Sequence, residues 1–135
     1  MRRGHYLENQ IQKIFTYLNE AGVHCHKNHS KRTVDGVYIA GESFDFEIFV
    51  NPVHVFDAKE AAGDSWELRN AKPMQMKHLL NCREHGAVAY FLVLFGKTDL
   101  RRYDVEFVRD AIAAGRKTLC KFEGKTWDWR IFQNR

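Results

Sequence analysis

The residues of this chain best equipped for chemistry are Asp57-Ala58-Lys59 and, eleven intervening residues before them, Asp45. Asp57 closes an apolar run (Val53, Val55, Phe56), an unfavourable place for a carboxylate without a partner. Asp45 interrupts a second run in which Phe44, Phe46, Ile48 and Val50 alternate with other residues. Hard cations such as Mg²⁺, for which Mn²⁺ can substitute, take oxygen ligands: one or two carboxylates, water and substrate phosphate. A lysine beside them can hold or deprotonate an attacking water, or neutralise charge growing on phosphorus. Two acids and a lysine so arranged suit metal-assisted phosphodiester hydrolysis. The residues alone leave a plainer reading open, in which Asp57 and Lys59 are an ion pair at a sheet edge.

These side chains need a scaffold that brings them together. Alternation over residues 44–50 and the extended run at 53–58, separated by Asn51-Pro52, read as a β-hairpin. Side chains alternate across a strand, so Asp57 and Lys59 share one face, as do Asp45 and Glu47. Leu7, Ile11, Ile14, Phe15 and Leu18 mark one face of a helix over residues 5–21, stopped at Gly22. The polar stretch 23–33 reads as loop or irregular strand, and 34–39 as a short strand. Pro73 opens a second helix reaching residue 85, with Met76, Leu79 and Leu80 inward. Residues 87–95 have the composition of a strand buried on both faces. Asp104 caps a third helix over 105–114, closed by Gly115, and 116–122 reads as a further strand. Residues 123–135 fit no element. The order predicts an α/β or α+β domain with a mixed central sheet, residues 1–135 forming a single unit.

The chain has 135 residues and a net charge of +4, distributed unevenly. Residues 1–33 carry six basic and two acidic side chains, and residues 67–135 fourteen and eight. Residues 34–66 carry seven acids against one cation, Lys59. An acidic island in a basic chain suits an enzyme that grips a polyanion and holds a metal. The composition, 44% hydrophobic and 28% charged, excludes disorder, collagen-like sequence and coiled coil. Cys25, Cys82 and Cys120 form no CxxC pair, which points to a reducing cytoplasm. The N-terminal arginines precede no apolar stretch, so no signal peptide is expected, and the longest apolar run is too short to span a bilayer. The chain is therefore expected in the cytoplasm, with no membrane partner.

The pattern Asp45-x11-Asp57-Ala58-Lys59 resembles the PD-(D/E)xK nuclease motif. Phe56-Asp57-Ala58-Lys59-Glu60 is similar to the FEAKE segment of RecU-type Holliday-junction resolvases, with Asp57 in place of the glutamate. Pro73-Met74-Gln75 resembles that family's glutamine motif, and residues 85–93 its Gly-containing turn and buried strand. Residues 4–8 resemble its first helix, which carries a glutamate. The likeness runs from about residue 3 to about residue 105. The chain is short for a bacterial resolvase and is expected to lack the insertion forming the family's stalk, as in a compact, phage-type relative. Asp35-Gly36 also resembles the family's first acid, but lies 22 positions before Asp57, and Asp45 has the better spacing.

The resemblance implies a restriction-endonuclease-like core and a Mg²⁺-dependent endodeoxyribonuclease acting on four-way or other branched DNA, in a bacterial cell or a phage-infected host. Asp45 and Asp57 would hold the metal, joined by the Ala58 carbonyl and by Glu8, and Lys59 would be the catalytic lysine. Gln75 would orient the lysine or the water. Glu47 is a substitute for Asp45, whereas Glu60 points away from the Lys59 face and reads as a surface acid. Lys27, Lys31 and Arg32 are expected in a basic loop on DNA phosphates, with Arg101-Arg102 and Arg116-Lys117 as further candidates. His24, Cys25 and His26 lack the paired spacing of a zinc site. Trp66, Trp127 and Trp129 fit a core or dimer contact better than base stacking. Two symmetric cuts in a junction call for a homodimer. A nicking or restriction-type nuclease of the same fold, and a non-catalytic DNA-binding protein, are the alternatives.

Overall fold

The computed structural model describes residues 5–28 and 45–134. Helix α1 (His5–Glu20) buries Leu7, Ile11, Phe15 and Leu18, the stripe read from the sequence. Gly22, at φ 91°, turns the chain out of the helix in a left-handed conformation that costs glycine little. Strands β1 (Cys25–Asn28), β2 (Asp45–Ile48) and β3 (His54–Ala61) pair antiparallel in sequence order. A short strand β4 (Ser65–Glu67) leaves this sheet before α2 (Pro73–Glu84), which has Pro73 in its first turn. Strand β5 (Val88–Phe95) then runs parallel to β3, and β6 (Asp99–Asp104) antiparallel to β5. Helix α3 (Val105–Ala113), strand β7 (Thr118–Cys120), strand β8 (Lys125–Thr126) and a three-ten turn (Trp129–Asn134) complete the chain.

Among the described residues the main sheet runs β1-β2-β3-β5-β6-β8, and β4 pairs with β7 separately. This is the mixed, helix-flanked α+β architecture expected from the sequence, and it is consistent with a nuclease core. No helix among the described residues is long and apolar enough to cross a membrane.

Strand β5 is apolar throughout because it is covered twice. One face gives Ala89, Phe91, Val93 and Phe95 to a core with Leu79 of α2, Val105 and Val108 of α3, Trp66 and Leu119. The other gives Tyr90, Leu92 and Leu94 to a core with the α1 stripe, Phe46, Ile48, Phe56, Trp127 and Phe132. Each fully buried Leu, Val or Phe side chain contributes about 1.5–3 kcal/mol by leaving water.

The structure differs from the sequence reading where polar residues hide an element. Asp99–Asp104 was not read as a strand, because its arginines mask the alternation; Arg101 pairs with Asp99 at 2.7 Å and Arg102 with Asp104 at 3.3 Å. Asp104 does precede α3, but its side chain makes no cap bond and meets Lys125 at 2.9 Å instead. The strand expected over 116–122 shrinks to Thr118–Cys120 and joins β4. Part of the polar stretch after α1 is strand β1, the last strand of the sheet among the described residues, and the strand expected at 34–39 lies outside the described residues. The unplaced tail closes the α1 side of the core: Trp127 and Phe132 are buried, and Gln133 donates to the Tyr17 hydroxyl at 3.0 Å. Trp66 is fully buried, and Trp129 packs edge-on against Tyr17, so the tryptophans are packing residues.

Candidate active site

The β2–β3 hairpin turns around Asn51-Pro52 and sets Asp45 directly opposite Asp57. Residues so paired have Cα atoms about 4.5–5.5 Å apart and side chains on one face. The next pair in register lies on the other face. There Phe46 stands opposite Phe56, which neighbours Tyr90 on β5. The three rings stack across the strands, with centroids 5.5 Å and then 5.3 Å apart. Sliding β3 by one residue would turn Phe56 to the charged face and Asp57 into the core, so the ladder holds the acids in register.

Asp57 is 3% exposed, and its Oδ2 lies 3.9 Å from Lys59 Nζ. A buried carboxylate is costly without compensating charge or hydrogen bonds. Burial also pushes the Lys59 pKa below its usual value, against the pull of Asp57, and the nearby charge of Lys72 pushes the same way. A lysine so placed gives up a proton more readily than a solvated one.

A residue that sequence reasoning missed completes the cluster. His78 on α2 places Nε2 2.6 Å from Asp45 Oδ2, and Cys82, one turn along, has Sγ 3.7 Å from the same nitrogen. The hydrogen bond to Asp45 raises the His78 pKa to about 10, so the ring is an imidazolium at neutral pH. The available signal was helical spacing: His78 follows Gln75 by three positions and precedes Cys82 by four.

The other expected site residues are distributed around this pair. Gln75 sits in the first turn of α2, where its Oε1 accepts the Lys72 backbone N–H at 3.1 Å. Glu8 on α1 is 3.6 Å from Lys27 Nζ and adds to the field at Lys59. Glu47 shares the Asp45 face and accepts from the Asn28 side chain. Glu60 is no mere surface acid: it accepts the Leu7 backbone N–H at 2.9 Å and ties the start of α1 to β3. Lys27, expected in a loop, is a strand residue whose ammonium lies 5.9 Å from the Phe46 ring centroid. Lys31, Arg32 and Asp35 lie outside the described residues. Cys25 is buried, with Sγ 3.5 Å from the Phe15 carbonyl, and burial pushes its thiol up to about 11. His24 and His26 pack against Phe49, with centroids 5.0 and 5.2 Å away.

Among the described residues no three His, Cys, Asp or Glu side chains cluster as a ready-made metal cage. The donor set is two facing carboxylates, Asp45 and Asp57, with Ala58 between Asp57 and Lys59 on β3. That set is too sparse and too hard for a structural zinc site. It fits a cation such as Mg²⁺, which keeps several waters and takes its remaining ligands from substrate phosphate.

A family model described as RecU, recombination protein U, matches residues 2–109. No curated protein matches the chain.

Proposed function

Because the chain belongs to the recombination protein U family, a family of Holliday-junction resolvases, we propose that it is a Mg²⁺-dependent endodeoxyribonuclease cutting four-way or other branched DNA at the Asp45–Asp57 pair. The observation that carries this reading is the register that sets these two carboxylates face to face with Lys59 beside Asp57. Asp45 and Asp57 would hold the cation, with the Ala58 carbonyl and Glu8 as further oxygen donors. When bound, the cation supplies Lewis-acid neutralisation of the scissile phosphate. Lys59 positions the attacking water and takes or shares its proton, aided by a pKa already lowered by burial. His78 fixes the Asp45 carboxylate, and Gln75 steadies the turn of α2 that flanks Lys59. Residues 1–135 act as one nuclease domain, and a homodimer makes the paired cuts in opposite strands.

Acids paired with basic neighbours also suit a protein that binds branched DNA without cutting it, and the contact of Asp45 with His78 favours that second reading. Incubation of a four-way junction, a flap and a linear duplex with Mg²⁺ separates the two. The expected outcome is metal-dependent cutting of branched substrates, reduced at least about 10²-fold in Asp57→Ala and in Lys59→Ala, with binding retained. Cutting that survives both substitutions sinks the assignment. Salt-sensitive binding with no cutting in any metal establishes the second reading.

A further inference from the structure

Beyond the acid pair lies a groove of about 600 Å³ between the first turn of α2, the segment after β4 and the connection from α3 to β7. Its lining carries three cations, Arg69, Arg116 and Lys117. Two of them are already paired, Arg69 with Glu67 at 2.9 Å and Arg116 with Glu123 at 2.8 Å, so the proposal turns on the lysines. Lys72 is exposed between the lining residues Ala71 and Pro73, and Lys117 is exposed as well. The two rims are fastened together: Leu68 N–H donates to the Lys117 carbonyl at 2.9 Å, beside the β4–β7 ladder. The backbone therefore sets the spacing of these cations before any ligand arrives. Exposed Lys72, before the first turn of α2, and exposed Lys117, on the connection from α3 to β7, thus stand at the two rims of the groove.

We propose that this groove holds the phosphodiester backbone of a DNA arm flanking the cut, with Lys72 and Lys117 as its phosphate contacts. The identity of the occupant rests on the nuclease reading above; the shape and charge of the groove do not. Lysines that contact phosphates add affinity without sequence preference, and each contact releases counterions, which makes binding steeply salt-dependent.

The test uses a fluorescent four-way junction without Mg²⁺ and the full chain carrying Asp57→Asn, read as binding constant against salt. Adding Lys72→Ala with Lys117→Ala is expected to flatten the log–log slope by roughly 1.8, about 0.9 per lost contact. If the curves converge at about 1 M salt, that is a loss of roughly 60-fold at about 0.1 M. Exposed Lys→Ala changes leave the fold intact. Lys13→Ala, on the exposed side of α1, should leave the slope unchanged. A double variant with an unaltered slope overturns the proposal, and so does an equal flattening in the Lys13 variant. Loss of self-association with an unaltered slope would assign the groove to a second copy of the chain, which overturns it equally. Cutting by the unsubstituted chain is scored separately. Cutting with no slope change defeats the groove alone, and a slope change with no cutting defeats the nuclease reading alone.

Discussion

The two faces of the β2–β3 hairpin do opposite work with adjacent residues. On one face Phe46, Phe56 and Tyr90 stack into a fully buried ladder, sealed by Phe15, Trp127 and Phe132. On the other, one residue along each strand, Asp45, Asp57 and Lys59 crowd like and unlike charges at the edge of the second core. The first face gains stability from burial and ring packing. The second holds a costly carboxylate pair whose position is fixed from behind. Sites of this kind are stable only when the surrounding structure over-determines them, and the aromatic ladder is what does so here.

That contrast can be broken from either face. The largest effect on stability is expected from the ladder. Phe56→Ala leaves a cavity between Phe46 and Tyr90 and should cost about 3–5 kcal/mol in denaturant titration. Catalysis should fall with it, although no charged group has changed. A loss below about 1 kcal/mol would mean that the hairpin register is held elsewhere.

A smaller change is expected from the polar centre of the same core. The Tyr90 hydroxyl receives Trp127 Nε1–H at 2.9 Å and lies 3.0 Å from His54 Nδ1. Tyr90→Phe keeps the ring stack and leaves the indole donor without its acceptor, so about 1–3 kcal/mol should be lost. Equal stability in urea would show that the stack alone fastens the C-terminal turn.

The smallest effect belongs to the charged face. His78 has its folded pKa raised from 6.5 to about 10 by Asp45. A raised pKa means that the folded chain binds the proton more tightly than the unfolded chain. The contribution of His78 is therefore fully present below pH 6.5 and lost as pH rises towards about 10. His78→Gln should remove that decline from the metal-free melting curve. Because the ring is partly solvated, the effect is modest. Superimposable pH profiles of the two proteins would rule out the pair as an energetic link.

Much of the candidate site was legible because it is local. Asp45 and Asp57 stand on consecutive strands joined by one turn at Asn51-Pro52, so alternation and turn chemistry already imply their shared face. The stripe of α1, Pro73 at the head of α2 and the apolar β5 were legible for similar reasons, each being a short-range pattern. His78 was not, since its meaning is a contact with a residue 33 positions away that exists only once α2 packs on β3 and β5. Strand β6 was hidden by arginines that read as solvent-facing until Asp99 and Asp104 neutralise them across its surface.

What the sequence by itself determined is the chemistry and its local geometry: two carboxylates and a lysine on the strands of one hairpin, in a family that acts on branched DNA. What only the tertiary structure decided is the environment of those groups. Helix α2 brings His78 to Asp45, the C-terminal turn closes the core behind the aromatic ladder, and burial lowers the Lys59 pKa. The physical reason is range. Alternation and turns act over a few residues, whereas desolvation and charge pairing depend on whichever distant segments the packed core places within a few ångströms.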